Sequence, residues 1–105
     1  MESIYEVILA DALVTQGLSV QRQKPIAIHF NGRYSDEGFK ADLLVENRLL
    51  IELKSTERLL AVHRRQVLTY LKLLDLPLGL LMNFGGATFK EGIKRVVNDH
   101  RPNDA

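Results

Sequence analysis

Apolar and polar positions along the chain alternate between two periods, and the switches between them mark the elements. From Met1 to Gln16, Ile4, Tyr5, Ile8, Leu9, Ala12 and Leu13 recur at helical spacing and Gly17 supplies a stop, which predicts a first helix. Glu2 and Glu6 fall one turn apart at the edge of that stripe, where exposed first-turn acids are favoured by the helix dipole. Leu18 to Phe30 reads as a strand, with Ile26, Ile28 and Phe30 alternating against Ala27 and His29. Pro25 within it points to an edge strand or a bulge. His29 reads as a strand-face residue, because no second histidine lies at metal-binding spacing. Asn31-Gly32 opens a turn, and the polar run Arg33 to Glu37 leads onward.

The segment Gly38 to Thr56 then predicts a hairpin, with strands near Phe39–Val45 and Leu49–Ser55 around Glu46-Asn47-Arg48. Alternation puts Phe39, Ala41, Leu43 and Val45 on one face and Lys40, Asp42 and Leu44 on the other. In the second strand Leu50, Glu52 and Lys54 share a face. If the turn centres on Asn47, Val45 pairs with Leu49 and Asp42 lies across from Glu52, with Lys54 beside them. Like charges directly opposite are unfavourable, so this register calls for a compensating cation. A turn one residue longer or shorter would separate the two acids onto opposite faces.

Leu59 to Leu76 predicts a second helix ended by Pro77, with Leu59, Val62, Val67, Leu71, Leu73 and Leu74 on its apolar face. Gln66 and Tyr70 fall inside that sector, one turn apart; an inward glutamine requires hydrogen-bond partners. Leu78 to Phe84 is a continuous apolar run, read as a buried strand that can lie parallel to an earlier one. Thr88 to Asn98 fits either a last strand over Ile93–Val97 or a short helix. Residues 99–105, with Pro102, read as a frayed tail.

Composition narrows the chemistry. A chain of 105 residues is expected to form one domain with a modest core. It has no cysteine, which excludes disulfides, zinc–thiolate sites, iron–sulfur clusters and thiol nucleophiles. No apolar run approaches the roughly 20 residues of a membrane span and no leader pattern opens the chain, so a cytoplasmic location is the default expectation. The formal net charge of +1 means that any polyanion contact must come from a local cluster.

Together, Asp42, Glu52-Leu53-Lys54 and Gln66-xxx-Tyr70, set on helix, three strands, helix and further strand, resemble the PD-(D/E)XK nuclease superfamily. Glu2-Ser3-Ile4-Tyr5 is similar to the ExxY part of the pattern that names its small GxxExxY family. The glycine of that pattern would fall before Met1, which leaves an upstream start open. The superfamily's proline before the first aspartate is Ala41 here, and Gln66 to Tyr70 matches the QxxxY element of one of its branches.

The resemblance implies an α/β restriction-endonuclease-like core: a helix, an antiparallel three-stranded meander, a second helix, and one or two further strands in a mixed sheet. It implies a Mg²⁺- or Mn²⁺-dependent nuclease acting on nucleic acid, DNA first, with no membrane role. Asp42, Glu52 and the Leu53 carbonyl would be metal ligands, Lys54 would act on the attacking water or the phosphoryl charge, Glu2 would be the helix-borne acid, and Gln66 and Tyr70 would contact substrate or buttress the site. Charge neutralisation by a hard cation suits phosphodiester cleavage, and Mg²⁺ takes one or two carboxylates plus waters and substrate oxygens. The alternatives are a structural ion-pair cluster around Lys54, a non-catalytic nucleic-acid-binding or assembly module on the same fold, and a helical-face interaction protein. A chain this small leaves room for a homodimer or a protein partner in substrate recognition.

Overall fold

Two helices and five strands follow one another as α1 (Glu2–Thr15), β1 (Val20–Phe30), β2 (Arg33–Val45), β3 (Leu49–Lys54), α2 (Ala61–Leu74), β4 (Leu78–Asn83) and β5 (Ile93–Val97). The computed structural model describes residues 2–30, 32–85 and 92–99, and within them the side chains of all but Glu2, His29, Phe30 and residues 34–37. The expectations for the His29 face and for residues 100–105 lie outside what is described.

The strands form one sheet in the order β1-β2-β3-β4-β5. All neighbours are antiparallel except β3 and β4, which run parallel because α2 carries the chain back across the sheet. This is the mixed α/β sheet expected of a restriction-endonuclease-like core. The stretch left open between helix and strand resolves as β5, whose Val96 is buried against α2. Pro25 lies on edge strand β1, where its missing N–H costs no ladder bond to a further strand, and the β1–β2 register shifts between Ile26 and Ile28. β2 starts earlier than expected, because the polar segment from Arg33 pairs with the end of β1.

The β2–β3 turn has the expected register, with Val45 opposite Leu49, Leu44 opposite Leu50 and Leu43 opposite Ile51. Glu46 and Asn47 make the turn with φ of 55° and 52°, the left-handed pair that a tight hairpin of this twist requires. The sheet buries both faces. Leu43, Val45, Ile51 and Leu53 pack with Ala10 of α1, and Ile26, Ala41, Leu44, Leu50 and Leu81 pack with Val67, Tyr70 and Leu71 of α2.

Three expected faces are corrected. Ala41 does not share a face with Leu43 and Val45: it belongs to the α2 side, as does Phe39, whose ring meets Tyr70. Alternation therefore breaks at Asp42. On α1, Ile4 and Ile8 are 52% and 62% exposed, and the inward row is Glu6, Leu9, Ala10 and Leu13. That helix is apolar nearly all round, so periodicity alone cannot select the buried face. On α2, Val62 and Leu73 are exposed, because only the narrower stripe of Val67, Tyr70 and Leu71 meets the sheet.

Helix α2 lies close on the sheet at Gly79 of β4, where a β-carbon would come within 2.8 Å of Val67 Cγ1. Gly79→Ala is therefore expected to lower stability by about 1–3 kcal/mol through overpacking. Thermal unfolding of the single variant and of Gly79→Ala with Val67→Ala checks this. The two changes should be less than additive, whereas strict additivity would mean that the added methyl does not meet Val67.

Candidate active site

Asp42 stands where β2 parts from β3. The last ladder pair is Leu43 with Ile51, and one step on the backbone partners are replaced by side chains. The Asp42 N–H donates to Glu52 Oε1 at 3.0 Å, and the Leu53 N–H donates to Asp42 Oδ2 at 2.8 Å. Each carboxylate thus accepts a hydrogen bond from the other's strand, so the register that brings Asp42 and Glu52 together also binds them to the backbone.

Both acids are hard to ionise. Glu52 is 3% exposed, and burial, then the charge on Asp42, push its carboxyl up to about 8. Burial also raises Asp42, and the Glu6 charge adds to that; the Leu53 N–H, the Glu52 side chain and the Lys54 charge oppose it. Lys54 follows Glu52 on the same face by alternation, and its ammonium lowers both acids. Burial and the neighbouring Asp42 charge together favour the protonated form of Glu52. A single positive charge placed there would relieve both desolvation and like-charge repulsion.

That observation is the test of a divalent cation, and the residues fit one. The donor set is oxygen only, which suits Mg²⁺ or Mn²⁺, and two carboxylates are enough for an ion that keeps waters and substrate oxygens. Among the described residues no group of three or more His, Cys, Asp or Glu is arranged as a metal cage.

Helix α2 contributes the expected pair. Gln66 Nε2 donates to the Tyr70 hydroxyl at 3.1 Å, which supplies the inward glutamine with its partner. Burial raises the Tyr70 hydroxyl, the Gln66 bond lowers it, and the charges on Glu52 and Asp42 raise it further.

Of three further side chains around the site, the sequence points to Glu6 alone. Glu6 is 4% exposed, contrary to the reading of it as a solvated first-turn acid. Its Oε2 accepts from Arg22 Nη2 at 2.9 Å and Nε at 3.1 Å, and its Oε1 accepts from Gln23 Nε2. Its charge acts on Asp42, whereas the side chain of Glu2, the acid expected from the ExxY match, lies outside the described residues. Gln23 sits in the left-handed region at φ 52°, a conformation that costs a non-glycine residue roughly 1–2 kcal/mol. No sequence pattern announces it.

The third is Asn83, buried at the end of β4. Its Oδ1 accepts the Thr56 N–H at 2.9 Å and the Gly85 N–H at 3.1 Å, and its Nδ2 donates to the Thr56 carbonyl at 2.9 Å. The Phe84 N–H meets the Lys54 carbonyl at 2.9 Å, so the backbone leaving Lys54 is held against β4. Gly85 approaches so closely that a β-carbon would lie 2.5 Å from the Thr56 carbonyl oxygen. Tyr5 of α1 stacks on Phe84, with ring centroids 4.2 Å apart.

The family comparison agrees with this fold. A family model described as the PD-(D/E)XK nuclease superfamily matches residues 1–96, and the chain belongs to that superfamily. Membership suggests a nuclease, with nucleic acid as the class of substrate; nucleases of this superfamily generally use divalent metal ions. No curated protein and no solved structure gives a match. Among the described residues no helix is long and apolar enough to cross a membrane.

The raised carboxyls make stability depend on pH with a definite sign. Between the ordinary glutamate value near 4.5 and about 8, the folded state holds a proton on Glu52 that the unfolded state has lost. Its stabilising share is complete below that window and is lost as pH rises through about 8; Asp42 acts in the same direction. In metal-free buffer, the Tm of wild type relative to Glu52→Gln should fall steadily as pH is raised from 5 to 8.5. A flat or rising difference would show that Glu52 does not hold the proton.

Proposed function

We propose that the protein is a Mg²⁺- or Mn²⁺-dependent nuclease that hydrolyses phosphodiester bonds, with DNA as its substrate. The observation that carries the reading is the Asp42–Glu52 pair. A buried and a half-buried carboxylate in hydrogen-bonding contact with each other's strands, with Lys54 acting on both, are electrostatically unfavourable until a cation joins them. Asp42 and Glu52 would hold that cation, together with the Leu53 carbonyl that the superfamily resemblance implies. When bound, the cation neutralises phosphoryl charge and makes a water nucleophilic near neutral pH.

The remaining roles belong to this chain's own groups. Lys54 supplies a positive charge to the attacking water or to the phosphoryl oxygens, and it needs no ligand role to do so. Gln66 and Tyr70 form a hydrogen-bonded pair on the α2 side of the acids, suited to orient a substrate oxygen or to keep the Glu52 side chain in place. Glu6 is the helix acid we favour, because its charge acts on Asp42. The GxxExxY assignment rests on Glu2 and Tyr5, of which Tyr5 fixes α1 to Phe84. With a net charge of only +1, backbone binding by bulk electrostatics is weak and recognition has to be local or shared with a second copy or a partner.

Cleavage of single- and double-stranded DNA and of RNA, with Mn²⁺, Mg²⁺ or chelator, tests the reading. Lys54→Ala should bind Mn²⁺ and DNA nearly as wild type does but cleave on the order of a hundredfold more slowly or worse. Undiminished cleavage by Lys54→Ala would sink these residue roles, and metal-independent binding without cleavage would favour a non-catalytic module.

Metal linkage gives a second check that needs no turnover. Millimolar Mn²⁺ should raise the Tm of wild type by selective binding to the folded state, and Asp42→Asn should remove the rise. An equal rise in both proteins would place the cation elsewhere.

A further inference from the structure

We infer that Gln23 is a positioning residue of the metal site, which ties Glu6 of α1 to Asp42 of β2; the inference rests on the cation reading above. Three observations converge on it. The ladder pairs Arg22 with Leu43 and Lys24 with Ala41, so Gln23 lies across from Asp42. At this pair the β2 side chains change faces, with Leu43 packed on the α1 side and Ala41 on the α2 side. Gln23 is the non-glycine residue of β1 with a positive φ, 52°, and that turn of the backbone aims its side chain between the two acids.

The chemistry of the amide suits the place. Its Nε2 carries two hydrogens. One is donated to Glu6 Oε1 and the other reaches Asp42 Oδ1 at a long 3.5 Å. A neutral double donor can draw two carboxylates together without neutralising either, which an arginine or lysine at this position would do. Arg22 already engages the other Glu6 oxygen, so Glu6 is held from both sides. Asp42 is likewise held from both sides, by Gln23 on Oδ1 and by the Leu53 N–H on Oδ2. Glu6 Oε1 keeps a second lone pair for a cation or its water, whereas Glu6 Oε2 accepts both Arg22 hydrogen bonds. The clamp thus sets the rotamer of Asp42 and its distance from Glu6. The left-handed backbone is the local cost, and a branched side chain could not adopt it without further strain.

A purely structural glutamine and a positioning one differ in what removing the amide changes. Gln23→Gly relaxes the left-handed backbone while deleting the amide. Gln23→Asn also tolerates that backbone and keeps an amide one methylene shorter, able to reach one acid but not both. Calorimetric titration of each folded variant with Mn²⁺, in the absence of nucleic acid, reads the site directly, alongside the Tm in chelator. Gln23→Gly should keep or raise the metal-free Tm yet bind Mn²⁺ about ten- to a hundredfold more weakly, the usual loss for a residue that orients a ligand. Gln23→Asn should fall between, and it carries the test if the glycine variant fails to fold. In combination with Glu6→Gln the loss should be less than additive, since the two act through one contact. Wild-type Mn²⁺ affinity in both Gln23 variants overturns the role of Gln23 while leaving the cation site standing. A wild-type protein that binds no Mn²⁺ overturns the cation reading and this inference with it.

Discussion

The structure turns on a pair of carboxylates, one buried and one half-buried, that cannot comfortably both be charged. Asp42 and Glu52 take over the hydrogen bonds of the ladder at the point where β2 leaves β3, each accepting an N–H from the other's strand. Burial raises both, and in metal-free protein a proton does what a cation would do more completely. A residue swap that left one acid alone in this place would leave a buried charge or an unsatisfied N–H, either of which is costly.

The surrounding elements are arranged to hold that pair still. The parallel contact with β4 continues past the last β2 pair at Ile51 and holds Glu52 and Lys54 on a paired strand. Asn83 and the close approach of Gly85 pin the backbone just past Lys54, so the lysine leaves a fixed point. From α2, Val67 and Leu71 close the core, while Gln66 and Tyr70 form a hydrogen-bonded pair whose hydroxyl feels the charges on Glu52 and Asp42. From α1, Tyr5 stacks on Phe84 and Glu6 reaches the site through Gln23. Both helices are therefore attached to the site as well as to the core.

This arrangement explains why polar side chains are tolerated within so apolar a framework. Glu6, Glu52 and Asn83 are buried, and each has hydrogen-bond partners or a neighbouring charge that offsets its burial. Buried polar groups so satisfied rigidify their surroundings. A rigid constellation on strands and helices is also what phosphoryl chemistry asks of a protein, because most of the catalytic effect comes from positioned charge.

Periodicity by itself determined the element order through β4 and, for a turn centred on Asn47, the hairpin register. A turn centred on Asn47 pairs Val45 with Leu49, as the structure has it, and that pairing brings Asp42 beside Glu52. The spacing of Gln66 and Tyr70 likewise put both on the inward side of α2. Only the tertiary structure decided which face of α1 is buried, since an almost wholly apolar helix carries no directional signal; Glu6 goes inward because Arg22 and Gln23 meet it there. Only the tertiary structure decided, too, that alternation breaks at Asp42. A period of two assumes a regular backbone, and the left-handed turn at Gln23 across the ladder coincides with a change of side-chain faces that no run of residue types encodes.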